Sequence, residues 1–178
     1  MEKRHFNNDY HQYKHLSYEI VTGVKRESDL TVHLNELLEG KRIRVYQAVV
    51  EGLDLANSVV KTNKGDLSYD YLVVALGSEP NFFGIKGARE NSFSVDSVEA
   101  AAQIRDRLKQ ISTGEKDFRV VIGGGGFTGV EVAGEILDEF RCCVTIVEGN
   151  KALLQSWGIP EFSEKAAHVL TEMGAELI

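Results

Sequence analysis

Three glycines, Gly124, Gly126 and Gly129, hold G-x-G-x-x-G spacing inside Val120-Val121-Ile122-Gly123-Gly124-Gly125-Gly126-Phe127-Thr128-Gly129-Val130-Glu131. At a strand-to-helix junction that spacing suits a pyrophosphate. The first glycine turns the chain sharply. The second brings backbone close to the phosphates, and the third lets the helix pack tightly on the strand. The phosphate oxygens then meet unpaired N–H groups around Phe127 and Thr128, at the positive end of the helix. A second apolar run, Cys142–Val147, ends in Glu148, about 24 residues after Gly124 and close to the expected ~20. A carboxylate there accepts hydrogen bonds from both ribose hydroxyls of an adenosine and repels a 2′-phosphate, so NAD is favoured over NADP. Lys151, nearby, works against that preference. A strand–turn–helix that merely packs would not need the glycines, the helix and the acid to agree.

These residues need a parallel sheet to position them. Phe118–Ile122 reads as a buried strand, and Phe127–Phe140 as a helix with an apolar face at Phe127, Val130, Ala133, Gly134 and Leu137. Pro160–Met173 reads as a further helix, with proline at its start and Gly174 after its end. Ala175–Ile178 begins a third strand. The expected result is a parallel three-layer unit. Upstream, Asp96–Ile111 is expected to be a helix capped by Asp96 with Glu99 completing a capping-box-like pair, and with Val98, Ala101, Ala102, Ile104, Arg105 and Leu108 inward.

The N-terminal half carries different signals. Leu30–Leu38 suggests a short helix closed by Gly40. Arg42–Gln47, Val49–Leu55 and Ser58–Lys61 alternate apolar and polar residues and suggest short antiparallel strands, with turns at Ala56-Asn57 and Asn63-Lys64-Gly65. Tyr71–Leu76 is continuously apolar, the pattern of a strand buried in a parallel sheet. Asn81–Gly87 reads as a linker. The expected division is 1–86 and 87–178, both halves unfinished dinucleotide-binding units. The fold class is α/β, with a Rossmann-like parallel sheet and a small antiparallel meander.

Composition narrows the partners. The chain has 178 residues, 43% hydrophobic and 26% charged, which are globular values. A net charge of −7 argues against a nucleic-acid partner. No apolar run approaches the ~20 residues of a transmembrane helix and no signal peptide is visible, so the default expectation is cytoplasmic. Cys142 and Cys143 are adjacent, point to opposite faces of a strand, and read as small core residues. No C-x-x-C pair is present to serve as a redox dithiol. His11 and His15 stand at helical i,i+4 spacing, but no acid or cysteine completes a metal site locally. A homo-oligomer is an option these residues leave open.

Tyr69-Asp70-Tyr71-Leu72-Val73-Val74-Ala75-Leu76-Gly77-Ser78-Glu79-Pro80 resembles the segment closing the flavin-binding half of two-dinucleotide flavoproteins. Asn81-Phe82-Phe83-Gly84-Ile85-Lys86-Gly87, and Gly124-Gly125-Gly126-Phe127-Thr128-Gly129-Val130-Glu131-Val132-Ala133-Gly134-Glu135, resemble type II NADH dehydrogenases, NADH:quinone oxidoreductases of the FAD/NAD-linked superfamily. The resemblance covers almost the whole chain, Asp9-Tyr10-His11 to Gly23 included. It implies that hydride passes from NADH to FAD and on to a quinone, with peripheral membrane association in intact members. It places Glu131 near the nicotinamide–flavin contact, although a glutamate there also suits the helix dipole. Gly77 matches a glycine of close approach to FAD, although it could simply end a strand. Glu2 matches the acid that holds the FAD ribose.

By the same resemblance, a first βαβ unit of about thirty residues is expected before Met1, the NAD half stops at its third strand, and the C-terminal interface domain is absent. FAD is then not expected to be retained. Two other readings stand beside this one. The chain is an NAD(H)-binding module without turnover, or it is a flavoprotein reductase with another acceptor, a ferredoxin or a disulfide. The missing dithiol disfavours the disulfide.

Overall fold

The computed structural model describes residues 9–114 and 117–178. Two short strands, β1 (Tyr10–Gln12) and β2 (Thr31–His33), pair with each other. The chain divides into two compact units, Met1–His11 with Val32–Glu79, and Gln12–Thr31 with Pro80–Ile178.

The first unit contains the one-turn helix α2 (Leu34–Leu37) and a three-stranded antiparallel sheet, β3 (Val50–Asp54), β4 (Val59–Thr62) and β5 (Leu67–Ser68), in that order. Two strands of the expected meander are present, with Leu53 opposite Val60, and Leu67–Ser68 adds a third that the pattern does not mark, with Val59 opposite Ser68. Local polar bonds shape its turns. The Asp54 carboxylate accepts from the Asn57 N–H (3.1 Å) and Nδ2 (2.9 Å), and Asn63 Oδ1 accepts from the Val49 N–H at 2.9 Å.

Three expectations fail in this unit. Leu30–Leu38 is not one helix: Thr31–His33 is a strand and only Leu34–Leu37 is α-helical. The β-branched Thr31 and Val32 favour extended backbone. Arg42–Gln47 forms no strand, and neither does Tyr71–Leu76. Tyr71 is 93% exposed and Val73 86%. An apolar run becomes a buried strand only when other strands satisfy its N–H and C=O groups and other side chains cover its faces. Among the described residues nothing does either.

The second unit holds a parallel sheet in the order β6 (Phe118–Gly123), β7 (Cys142–Val147), β8 (Glu176–Leu177). Its longer helices are α4 (Val98–Ser112), α5 (Phe127–Glu139) and α6 (Pro160–Glu172), with the shorter α1 (Tyr18–Thr22) and α3 (Ala88–Asn91). Register runs from Phe118 opposite Cys142 to Gly123 opposite Val147. The core gathers Val144 and Ile146 from β7, Val132, Ala133 and Ile136 from α5, Val98, Ala101 and Leu108 from α4, Ile20 and Val21 from α1, and Leu170 from α6. A two-pronged ion pair closes one side: Arg105 Nη1 and Nη2 donate to Glu27 at 3.2 and 3.1 Å. This holds the Glu27 carboxyl below its ordinary range.

Burial alternates along the sheet. Phe118, Val144 and Ile146 are buried, whereas Val121 is 67% exposed and Cys143 and Val147 are also exposed. The described residues therefore make two layers, not the three expected: one face of the sheet has its covering and the other has none. Cys143 is on the bare face and is not a core residue; Cys142 is half-buried, and burial pushes its thiol pKa up. On α4 the cap is Ser97, whose Oγ accepts from the Ala100 N–H at 3.1 Å, not Asp96. On α5 the buried residues are Val132, Ala133 and Ile136, with Val130 and Leu137 half-buried and Phe127 exposed. Among the described residues no helix is long and apolar enough to cross a membrane.

Candidate functional site

The glycine turn joins β6 to α5 as the spacing predicts. Gly124 has φ +105°, a conformation that a side chain makes costly, and its N–H donates to the Val147 carbonyl at 2.8 Å. The chain thus reverses at the end of the neighbouring strand. A Cβ at Gly129 would overlap the carbonyl oxygen of Gly124. This is the close helix–strand approach for which a third glycine is needed. Gly126 is the N-cap of α5 and supplies no side-chain cap. The first-turn N–H groups, those of Phe127, Thr128 and Gly129, thus point out of the helix without an intrahelical acceptor. Phe127 turns away from the core: its ring meets Trp157 edge-on at 4.5 Å, and Trp157 in turn meets Phe162 at 5.7 Å.

Glu148 follows β7 directly and reaches the turn. Its Oε2 accepts from the Gly125 N–H at 2.5 Å, and its Oε1 accepts from the Asn150 N–H and Nδ2, both at 2.7 Å. These bonds, the Asn150 N–H foremost and then that of Gly125, hold the carboxyl below its ordinary range. A cavity of about 310 Å³ opens beside it, lined by Glu148, Asn150, Lys151 and Leu153 among others. The turn therefore offers first-turn N–H groups for a phosphate, with an ionised carboxylate beside them.

Glu131, one turn into α5, faces a second cavity of about 360 Å³, with Lys14, His15, Tyr18, Phe127 and Thr128 around it. Burial pushes its carboxyl up, and the nearby His15 opposes that. Gly77 lies in the first unit with φ +75° and open space where a Cβ would stand. Glu2 lies outside the described residues. His11 is in a strand and His15 in a 3-10 turn, so their spacing is not that of one helix.

Several participants escaped sequence reading. Gly125 is closely packed, since a Cβ there would push on the tip of the Leu153 side chain, and its carbonyl accepts from the Leu154 N–H at 2.8 Å. The unbroken run Gly123–Gly126 was the available signal. Asn150 was marked only by its place two residues after the acid, where an Asn commonly bonds locally. Nothing in the sequence brought Lys14, His15 and Tyr18 to Glu131.

Comparison with known proteins agrees with this geometry. Residues 5–178 match the family described as pyridine nucleotide-disulphide oxidoreductase. The type II NADH:quinone oxidoreductase of Staphylococcus haemolyticus is 29% identical, over 95% of this chain and 47% of that protein; that of Staphylococcus aureus is equally similar over the same shares. The chain thus spans about half the length of the curated relatives it matches. Among solved structures, the sulfide:quinone oxidoreductase of Aquifex aeolicus superposes with a TM-score of 0.80 at 22% identity, covering 97% of this chain and 43% of that one. NDH2 from Plasmodium falciparum in complex with NADH gives 0.70 at 21% identity, over 96% and 42%. With the glycine turn, the parallel sheet and a family match over almost its whole length, this chain belongs to the pyridine nucleotide-disulphide oxidoreductase family.

Proposed function

We propose that the chain binds NADH at the Gly124–Gly129 turn and serves as the NADH-binding part of an FAD-dependent oxidoreductase whose electrons go to a quinone. The observation that carries this is the turn itself, with Glu148 bonded across to Gly125. The pyrophosphate takes the N–H groups of Phe127, Thr128 and Gly129, and the ribose takes Glu148. Glu131 lies at the end of this site where a nicotinamide would arrive, beside its own cavity. The relatives named NADH:quinone oxidoreductases support NADH as donor and a quinone as acceptor. The 1–86 half is read as belonging to the flavin side, the 87–178 half to NAD.

The described residues do not make a flavin cradle. They contain one strand–glycine-turn–helix junction, the one assigned to NADH, and Gly77 stands on open, exposed backbone with no sheet around it. This observation favours a second reading for the 178 residues taken alone, a dinucleotide-binding module without turnover.

Calorimetric titration separates the claims. NADH is expected to bind the chain weakly and NADPH more weakly still, with Glu148→Ala weakening NADH and narrowing that gap. An unchanged NADH-to-NADPH ratio would show that Glu148 only shapes the turn. No turnover with a quinone is expected from the chain alone, even with added FAD. Turnover at enzymatic rates would remove the module reading.

A further inference from the structure

We propose that the side-chain amide of Asn150 is a stand-in for a ribose hydroxyl on Glu148, which a bound nucleotide displaces, so that Asn150 mutes the chain's preference for ribose over deoxyribose. The proposal rests on the dinucleotide reading above.

The argument is a count of acceptor positions. A carboxylate offers about four. Glu148 already fills three: Oε2 with the Gly125 N–H, and Oε1 with the Asn150 N–H and Nδ2. A ribose with neighbouring 2′- and 3′-hydroxyls donates two hydrogen bonds, so one resident donor must leave. Two of the three are backbone. The Gly125 N–H is fixed in a turn whose carbonyl is itself held by the Leu154 N–H. The Asn150 N–H is set by the chain leaving Glu148. Only Nδ2 sits on a rotatable side chain. Asn150 is exposed, and its side chain makes no other hydrogen bond with the described residues. The neighbouring Lys151 N–H is occupied by Gln155 Oε1 and does not compete. Glu148 and Asn150 also line one cavity with Lys151, so the carboxylate and the amide are open to an arriving molecule from that side.

A ribonucleotide gains two bonds to Glu148 and breaks one, whereas a 2′-deoxynucleotide uses the remaining position and breaks none. Removing the amide frees the second position for the ribonucleotide alone. ADP and 2′-deoxy-ADP are the probes, since both carry the pyrophosphate. They are titrated by calorimetry into the 178-residue chain and into Asn150→Ala. The expected result is that Asn150→Ala binds ADP about fivefold tighter, the worth of one ordinary hydrogen bond, and 2′-deoxy-ADP within about twofold of the unsubstituted chain. The ADP-to-2′-deoxy-ADP ratio rises accordingly. If both nucleotides weaken together, or the ratio stays fixed, Asn150 is only a prop for the carboxylate and the proposal is overturned while the dinucleotide reading stands. If neither nucleotide nor NADH binds either folded protein, the dinucleotide reading falls and takes this proposal with it.

Discussion

The two units differ in where their apolar residues go. Every buried hydrophobic residue among those described belongs to the second unit, from Ile20 and Val21 through Ile136 to Ala175. In the first unit Ile43, Val45, Leu53, Leu55, Val73, Val74 and Leu76 are all exposed. The sequences are comparably apolar, so composition does not explain the contrast. Topology does. The second unit's β-α-β-α-β order lays helices over a face of its own sheet, which buries side chains using only nearby sequence. The first unit's meander has three short strands and, among the described residues, no helix long enough to cover it, and small sheets without a covered face are marginal. A shared device underlines the point. Asp54 grips Asn57 in the first unit much as Glu148 grips Asn150 in the second. The second grip also reaches the turn that starts α5, through the Gly125 N–H.

The largest expected effect tests that contrast directly. Ile136→Ala removes a side chain 1% exposed at the centre of the second unit and should cost about 2–5 kcal/mol. Leu76→Ala in the first unit, at 64% exposure, should change stability by no more than about 0.5 kcal/mol. Denaturant unfolding of both variants checks it. Equal losses would mean that residues 71–76 pack somewhere in solution and that the contrast is false. Amide hydrogen exchange adds a second view: β6 and β7 should be protected, and residues 43–46 and 72–77 should exchange fast.

Next in size is Gly129→Ala. The added Cβ meets backbone, not a yielding side chain, so α5 or the turn must shift. A loss of about 2–4 kcal/mol, with nucleotide binding abolished, is expected. Gly126→Ala, where a Cβ has open space and φ is −76°, should cost well under half as much. Similar losses at both positions would show that helix-capping backbone, not close approach, makes this turn need glycine.

The second unit was legible because its signals are local. Strand, glycine turn, helix and acid follow one another within about thirty residues, and each is recognised by its own period or turn chemistry. The structure keeps Cys142–Val147 as a strand and starts α5 at Phe127, as the pattern requires. The errors lie where a choice depended on something distant or on fine phase. Asp96 and Ser97 are both good caps, and the phase that buries Val98, Ala101 and Leu108 decides for Ser97. Val132 and Ile136 take the inner face of α5, and the Phe127 ring packs on Trp157 instead. Tyr71–Leu76 has every local mark of a buried strand, but strand status belongs to a pairing, and no local mark supplies the partner.

Acid should reveal a smaller difference, confined to the turn. The Glu148 carboxyl lies below its ordinary range in the folded chain, and in the unfolded chain it titrates normally. Its ionised form therefore stabilises the fold above the unfolded value, and that contribution is lost as pH falls through the folded value. The Gly125 and Asn150 amides should gain exchange rate, after correction for intrinsic pH dependence, once the pH has fallen below the ordinary carboxylate range to the depressed folded value. Glu148→Gln should remove that pH-linked change. Glu27, held down by Arg105, titrates in the same acid range, so some loss of global stability should persist in the variant. If Glu148→Gln unfolds with the same acid profile and the same amide rates as the parent, the carboxylate does not organise the turn.

The smallest expected effect concerns a flaw inside the well-packed unit. Ser17 is 1% exposed, and its Oγ has no hydrogen-bond partner among the described residues. It precedes α1 with helical backbone angles and caps nothing, so the usual value of a serine before a helix is not realised here. An unpaired hydroxyl carries its desolvation cost, about 1–3 kcal/mol, without return. Ser17→Ala deletes only that oxygen, beside Ile20 and Val21, and leaves a space too small to cost much. The variant should be neutral or more stable by up to about 1 kcal/mol, read as a shift in the urea midpoint at constant slope. A loss of that size instead would mean that the hydroxyl is satisfied in solution by a buried water, which needs a polar, roomy site. The core of the second unit would then be wetter at α1 than its apolar lining indicates, and the contrast between the two units would narrow at that point.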